Sequence, residues 1–115
     1  MDKENRDTQI LKKIIGEIDF LINYTAKETY ESLTANEGKK RGVAMTFINI
    51  GELANKLSDD FQKSATDIPI KSIIAFRNKI AHGYHAIDFE FIWLTITKSI
   101  AELKSKIEQK LKIPL

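Results

Sequence analysis

The sequence of 115 residues contains no cysteine, two prolines, five glycines and one tryptophan. Without cysteine the chain can form no disulfide, no thiolate metal site and no thiol redox centre. No uncharged stretch approaches the roughly 20 apolar residues that a helix needs to cross a bilayer. The start, MDKENRDTQ, is polar and mixed in charge, and it lacks the apolar centre of a signal peptide. We therefore expect a cytoplasmic protein that makes no contact with a membrane.

The chain also carries little net charge, because 18 basic and 16 acidic side chains leave a formal charge of +2. This balance is too small to predict nucleic-acid binding by bulk electrostatics. Basic residues cluster at 39–41 and along 98–112, where solvated helix faces explain them without a ligand. Any nucleic-acid binding must therefore come from a local site. The length suits a single domain spanning residues 1–115.

Apolar residues recur every three or four positions in four segments, as they do on the buried face of an amphipathic helix. The spacing predicts helices over about 7–30, 34–62, 69–82 and 88–110. No segment shows the two-residue alternation of a half-buried strand. Short connections between antiparallel helices favour an all-α, up-and-down bundle of four to five helices.

Several helix starts carry local signals in the sequence. Thr34 and Glu37 have the spacing of a capping box, Pro69 suits the first helical position, and Asp88 can cap the last helix. The third helix is apolar on more than one side, which predicts a central place in the bundle. Gly51 lies in the middle of the second helix, where no turn explains it, so we expect another helix to approach closely there.

The segment 75–84 differs from the rest because it places polar side chains at the end of an apolar helix. These side chains are Arg77, Asn78, His82 and Tyr84, and an unpaired Arg or His would be costly to bury. Arg77 and His82 are five residues apart, so they point about 140° apart on an ideal helix. A second copy of the chain, related by two-fold symmetry, could instead bring both pairs into one cleft.

The chemistry of such a cleft suits RNA cleavage. Arg77 offers a planar, permanent charge that matches phosphate oxygens, and His82 can transfer protons near neutral pH. RNA supplies its own nucleophile in the 2′-hydroxyl group. A base, an acid and a cation are then sufficient, so we expect no metal and no other cofactor.

The same residues also have simpler structural roles. An Arg-x4-His pair arises easily by chance, and a histidine in the last turn of a helix favours the negative end of the helix dipole. Asn78 can bond the end of a neighbouring helix, and His85 is expected in an exposed loop. Glu52 lies on an apolar stretch of the second helix, where it needs a cation, and Arg77 is the candidate.

The polar segment resembles a motif of HepT-like proteins in the HEPN superfamily, which is Arg-x4-His-x-Tyr. Further matches follow the same order along the chain, so the resemblance covers nearly all of it. The matching positions are Gly51 with Glu52, Ile68 with Pro69, the motif from Arg77 to Tyr84, and Asp88 with Trp93. Ile70 departs from the pattern, because many members carry Trp directly after Ile-Pro.

The resemblance implies an all-α homodimer that acts as a metal-independent ribonuclease toxin and is neutralised by a minimal nucleotidyltransferase antitoxin. It implies that Arg77 and His82 form the catalytic pair and that Asn78 and Glu52 support the cleft. It also implies that the antitoxin transfers AMP to Tyr84. Two alternatives stay open, namely a noncatalytic helical subunit that binds nucleotide or a nucleotidyltransferase, and a purely structural helical dimer.

Overall fold

The computed structural model describes residues 2–83 and 87–112, with side chains from residue 5 onward. The regular elements are α1 (Asp2–Thr25), α2 (Tyr30–Thr34), α3 (Glu37–Asn55), α4 (Asp59–Ser64), α5 (Ile70–Gly83), α6 (Phe89–Leu94), a π-helical segment (Thr95–Ser99) and α7 (Ile100–Lys112). No strand occurs in these ranges, which confirms the prediction of an all-α fold. Within the same ranges, none of the helices combines the length and the apolar character that crossing a membrane requires.

Helix α1 buries the predicted stripe but ends earlier than predicted, at Thr25 instead of about Tyr30. The buried hydroxyl of Thr25 donates a 2.8 Å hydrogen bond to the carbonyl of Leu21. The chain then turns, and a capping box starts the short helix α2. In this box Thr29 Oγ1 accepts from the amide of Ser32, while Ser32 Oγ accepts from the amide of Thr29.

The prediction of a capping box at Thr34 and Glu37 is wrong, because Thr34 does not cap α3. The Thr34 hydroxyl turns back into α2 and donates to the carbonyl of Tyr30 at 2.8 Å. Helix α3 is capped instead by Asn36, whose Oδ1 accepts from the amide of Lys39 at 3.0 Å. Asparagine is among the best residues for this position, because its short side chain reaches the free amides of the first turn.

The single helix predicted over 34–62 is two helices in the structure, because the chain breaks after Asn55. Ser58 caps α4, and its hydroxyl oxygen accepts from the amide of Phe61 at 3.1 Å. Ser58 also donates from its amide and its hydroxyl to the buried carboxylate of Asp7 on α1. The spacing of apolar residues cannot predict this contact, because its two residues lie 51 positions apart in the sequence.

Helix α5 matches the predicted third helix within one residue at each end. Pro69 precedes it, and the Pro69 carbonyl accepts from the amide of Ile73 at 3.0 Å. The expectation of a central position is wrong, since α5 packs chiefly against α3 and only Ile70 and Ile80 are fully buried on it. Its other apolar side faces an open groove.

The last predicted helix is continuous from α6 to α7. The Asp88 carboxylate accepts from the amide of Glu90 at 2.9 Å, which confirms the predicted cap. The π-helical segment was not predicted. At this segment, the Thr95 and Thr97 hydroxyls donate to the carbonyls of Phe91 and Trp93, bonds of the kind that bend helices.

The helices enclose one core between α1, α3, the α6–α7 helix and the short α2. Completely enclosed side chains come from most of these elements and from α5, and they include Ile18, Leu21, Leu33, Val43, Ile80, Ile92 and Ile107. Helices α1 and α3 run antiparallel, because Glu17 bonds Asn49 while Tyr24 lies beside Gly42. Helix α5 packs against α3 at the edge of this core and adds Ile70 and Ile80 to it.

Candidate active site

Arg77 lies where α5 crosses α3 most closely. A side-chain carbon added to Gly51 would overlap the Cβ of Arg77 and would lie 2.5 Å from its Cγ. The same carbon would lie 3.4 Å from the Ile73 carbonyl oxygen. The prediction that another helix approaches Gly51 is therefore confirmed, and the approaching residue is the arginine of the motif.

The Arg77 guanidinium is mostly covered but only partly paired. Its side chain is 19% exposed, and Nη1 lies 3.9 Å from Oε1 of Glu52, which confirms the predicted ionic partner. That distance brings the charges together without the geometry of a hydrogen bond. The Nε atom is buried and has no hydrogen-bond partner among the described residues. Because guanidinium offers five donors in a fixed plane, Arg77 keeps donors available for a further acceptor.

His82 and Asn78 are exposed on α5, and His82 stands in its last turn. The backbone is α-helical from Arg77 through His82, so the separation of about 140° applies and one chain does not bring Arg77 and His82 face to face. Tyr84 and His85, which the sequence analysis also singled out, lie outside the described residues. The structure thus joins Arg77 with Glu52 but leaves His82 directed elsewhere.

The charge on α5 has one sign. Its sequence contains Lys71, Arg77 and Lys79 together with His82, and it contains no acidic residue. The chain as a whole is almost neutral, so this helix concentrates positive charge that the overall composition hides. Glu52 is the acid that the structure places against it. Arg77 and His82 point to different sides of the helix, so these charges form no single face, but each basic side chain attracts phosphate.

An apolar groove of about 620 Å³ runs along α5, between this helix, α3 and the α6–α7 helix. Phe76 lines it and contacts Phe47 and Phe91 edge to face, with ring centres 5.2 and 5.5 Å apart. Phe91 is 56% exposed, which is unusual for so large an apolar side chain. The sequence signal for the groove is the second apolar side of α5. The same signal had favoured a central position for this helix.

Residues that could hold a metal ion do not converge in the part of the chain that the structure describes, since no group of three His, Asp or Glu side chains forms there. The chemistry visible on α5 is that of a cation and an imidazole. Arg77 can stabilise phosphate charge, and His82 is accessible for proton transfer.

Comparison with protein families gives an assignment for this arrangement. The model of the family described as Ribonuclease HepT-like matches residues 14–110. The chain belongs to the HepT-like ribonuclease family. The matched region includes α5 with Arg77 and His82, and it also covers most of the helices that form the core. The resemblance read from the motif is therefore confirmed at the level of the family.

Relatives of similar length agree with this membership in the HepT-like family. The chain is 30% identical over 102 residues to a protein of Methanocaldococcus jannaschii named "Putative RNase MJ0125", covering 89% of this chain and 88% of that protein. It is 25% identical over 109 residues to "Probable ribonuclease HepT" of Thermococcus cleftensis, covering 95% and 97%. A similar comparison with solved structures gives no match.

Proposed function

We propose that this HepT-like chain is an endoribonuclease and the toxin component of a toxin–antitoxin pair. The observation that carries the proposal is Arg77, whose side chain stays 19% exposed and whose Nε has no hydrogen-bond partner among the described residues, on a helix whose charged residues are all basic. The names of the relatives support RNA as the substrate. The exposed imidazole of His82 on the same helix supplies the proton transfer that cleavage requires.

The proposed reaction uses the 2′-hydroxyl group of RNA as the nucleophile. One imidazole removes the 2′ proton, and the 2′ oxygen forms a bond to phosphorus while the bond from phosphorus to the 5′ oxygen breaks. A second imidazole, protonated beforehand, donates its proton to the departing 5′ oxygen. Arg77 stabilises the charge on the phosphate oxygens during this exchange. The products are a 2′,3′-cyclic phosphate and a 5′-hydroxyl, and no step calls for a metal ion.

Two imidazoles are available if the protein acts as a homodimer, and we propose that it does. One chain alone leaves Arg77 and His82 pointing to different sides of α5. The groove supports a second copy as its occupant, because Ser72, Phe76 and Lys79 follow its edge at helical spacing toward His82. A copy that seats its own α5 there covers the exposed ring of Phe91 and brings the two α5 helices together.

Regulation is proposed to act through Tyr84. A minimal nucleotidyltransferase antitoxin would form a bond between the tyrosine oxygen and the α-phosphorus of ATP, and pyrophosphate would leave. Tyr84 follows His82 by two residues, so the attached phosphate would come close to the basic end of α5. Its negative charge would attract Arg77 and exclude the phosphate of RNA.

The test is cleavage of RNA by the purified protein in EDTA. His82→Ala and Arg77→Ala should each lower the rate about 10²-fold or more, the usual effect of losing an acid–base group or a charge-stabilising donor. His85→Ala and Lys12→Ala, the second on the exposed side of α1, are the matched controls and should cleave like the wild type. Wild-type rates in His82→Ala would exclude the assigned role. A wild type that cleaves no RNA but binds the nucleotidyltransferase would instead identify a noncatalytic partner subunit.

A further inference from the structure

We infer that Gly51 and Glu52 of α3 act together as positioning residues for Arg77. Gly51 lets the arginine stem lie directly on α3, and Glu52 directs the guanidinium from the side. Neither residue is placed in contact with RNA. The inference rests on the proposed function, because it explains how the cation of that site is held.

Helices α3 and α5 are in contact at Gly51 and Arg77, with no room for a larger side chain at position 51. Ordinary contacts between carbon atoms are about 3.5–4.0 Å long. A Cβ at position 51 would lie 2.5 Å from Arg77 Cγ, so α5 would have to move outward by about 1 Å or more. The Cβ of Arg77 is fixed by the backbone, so rotation of the side chain can move Cγ but cannot remove the overlap with Cβ unless the helix moves. Gly51 therefore sets the depth at which Arg77 lies.

The other glycines of the chain do not have this property. A Cβ added at Gly16 or Gly83 meets nothing within 4 Å, and one at Gly38 meets only the Asn36 side chain. At Gly42 the neighbour is the ring of Tyr24, which lies at the far end of its side chain. Gly16 is thus a matched control, because it also lies within a long helix but has free space beside it.

Glu52 acts on the direction of the Arg77 guanidinium more than on the stability of the fold. Its side chain is 55% exposed, and its oxygen lies 3.9 Å from Arg77 Nη1. A pair of this length with one exposed partner adds little to stability, because solvent screens the attraction. Its effect on direction is larger, because Nη1 lies beside Glu52 while the buried Nε has no hydrogen-bond partner in the part of the chain that the structure describes. Glu52 therefore orients the guanidinium, and the part of it that stays exposed can meet phosphate.

The test compares Gly51→Ala and Glu52→Gln with two controls, Gly16→Ala and Glu102→Gln, in cleavage assays that separate kcat from KM. Glu102 also forms an exposed ion pair, with Lys106, so its replacement matches the loss at Glu52. We expect Gly51→Ala to lower kcat about 10²-fold, as displacement of a reactive group by about 1 Å does. We expect Glu52→Gln to lower kcat about 10-fold with KM unchanged or smaller, because a competing anion is removed. The controls should keep wild-type values.

Some results would overturn the inference. A folded Gly51→Ala protein with wild-type kcat would show that Arg77 needs no such position. A Glu52→Gln protein with raised KM and unchanged kcat would show that Glu52 binds substrate directly. A loss of melting temperature with unchanged kcat per folded molecule would show a merely structural role.

A binding assay keeps the inference testable if Gly51→Ala does not fold. Uncleavable 2′-O-methyl RNA should bind Glu52→Gln about threefold more tightly than wild type, since a nearby carboxylate no longer competes for Arg77. In an Arg77→Ala background the same replacement should have no effect, because Glu52 acts through Arg77. An equal effect in both backgrounds would refute this. A wild type that binds this RNA with the expected coupling but cleaves none would contradict the proposed function alone.

Discussion

The buried carboxylate of Asp7 accepts two hydrogen bonds from Ser58, one from the amide at 2.8 Å and one from the hydroxyl at 2.6 Å. Ser58 in turn caps α4, because its hydroxyl oxygen accepts from the amide of Phe61. The N-terminal part of α1 thereby holds the point at which the chain leaves α3. This contact fixes the path of the segment that leads to α5 and the candidate site.

Replacing Asp7 is therefore expected to destabilise the protein. Asp7→Ala removes the acceptor of two partly buried hydrogen bonds from Ser58, each worth about 0.5–1.5 kcal/mol. Asp7→Asn keeps one acceptor oxygen and should lose less. Urea unfolding followed by circular dichroism measures both, with Lys12→Ala on the exposed side of α1 as the control. Equal stability of Asp7→Ala and Lys12→Ala would mean that the Ser58 contact contributes nothing.

Acid should weaken the protein through two surface pairs. The hydrogen bond from Lys110 to Asp67, 2.9 Å long, lowers the pKa of the Asp67 carboxyl below its usual 3.8. The hydrogen bond from Lys39, followed by that from Ser32, lowers the pKa of Glu28 below 4.5. A carboxyl whose pKa is lowered by folding contributes stability above its unfolded pKa and loses it as the pH falls through its folded pKa.

We therefore expect the wild-type melting temperature to fall as the pH drops below about 4.5, the region in which unfolded carboxyls begin to bind protons. The double variant Asp67→Asn with Glu28→Gln should melt lower at pH 7 and depend less on pH below that point. Melting curves by circular dichroism from neutral to acid pH test this. Wild-type and variant curves that stay parallel throughout would contradict the expectation.

Dimer formation is expected to depend on the groove beside α5. Phe91→Glu places a charge on its exposed aromatic edge and should raise the dissociation constant of the dimer by at least about 10-fold, because an unpaired charge is costly to cover. Phe20→Glu is the matched control, since Phe20 is similarly exposed at 50% but lies on α1. Sedimentation equilibrium measures both. Dissociation by Phe20→Glu, with Phe91→Glu still dimeric, would place the second copy on the other face.

AMP transfer is expected at Tyr84 when the protein is produced together with its cognate nucleotidyltransferase. Mass spectrometry should then find added AMP on the peptide that contains Tyr84, and the modified protein should cleave RNA at least about 10²-fold more slowly because its site is occupied. Tyr84→Phe should remain unmodified, whereas Tyr30→Phe should be modified like the wild type. An active transferase that leaves Tyr84 untouched would exclude this form of regulation.

The helices and the motif could be predicted because both are local properties of the sequence. Apolar spacing of three to four residues marks α1, α3, α5 and the last helix, and Asp88 caps that helix as predicted. The close approach at Gly51 and the partner of Glu52 were also predicted, because a glycine within a helix and a carboxylate on an apolar stretch each indicate a close neighbour. The choice between Thr34 and Asn36 as a cap was not, because both offer a suitable oxygen and the turn between α2 and α3 decides which is used.

By itself, the sequence determined where the longer helices form, which of their sides are apolar, and that Arg77 and His82 share one short basic helix. Those features depend on neighbours within a few residues along the chain. Only the tertiary structure decided that Asp7 holds Ser58, that α5 lies at the edge with an open groove, and that Gly51 sets the depth of Arg77. Such contacts join distant segments, and close packing of whole helix surfaces selects them, which no local pattern records.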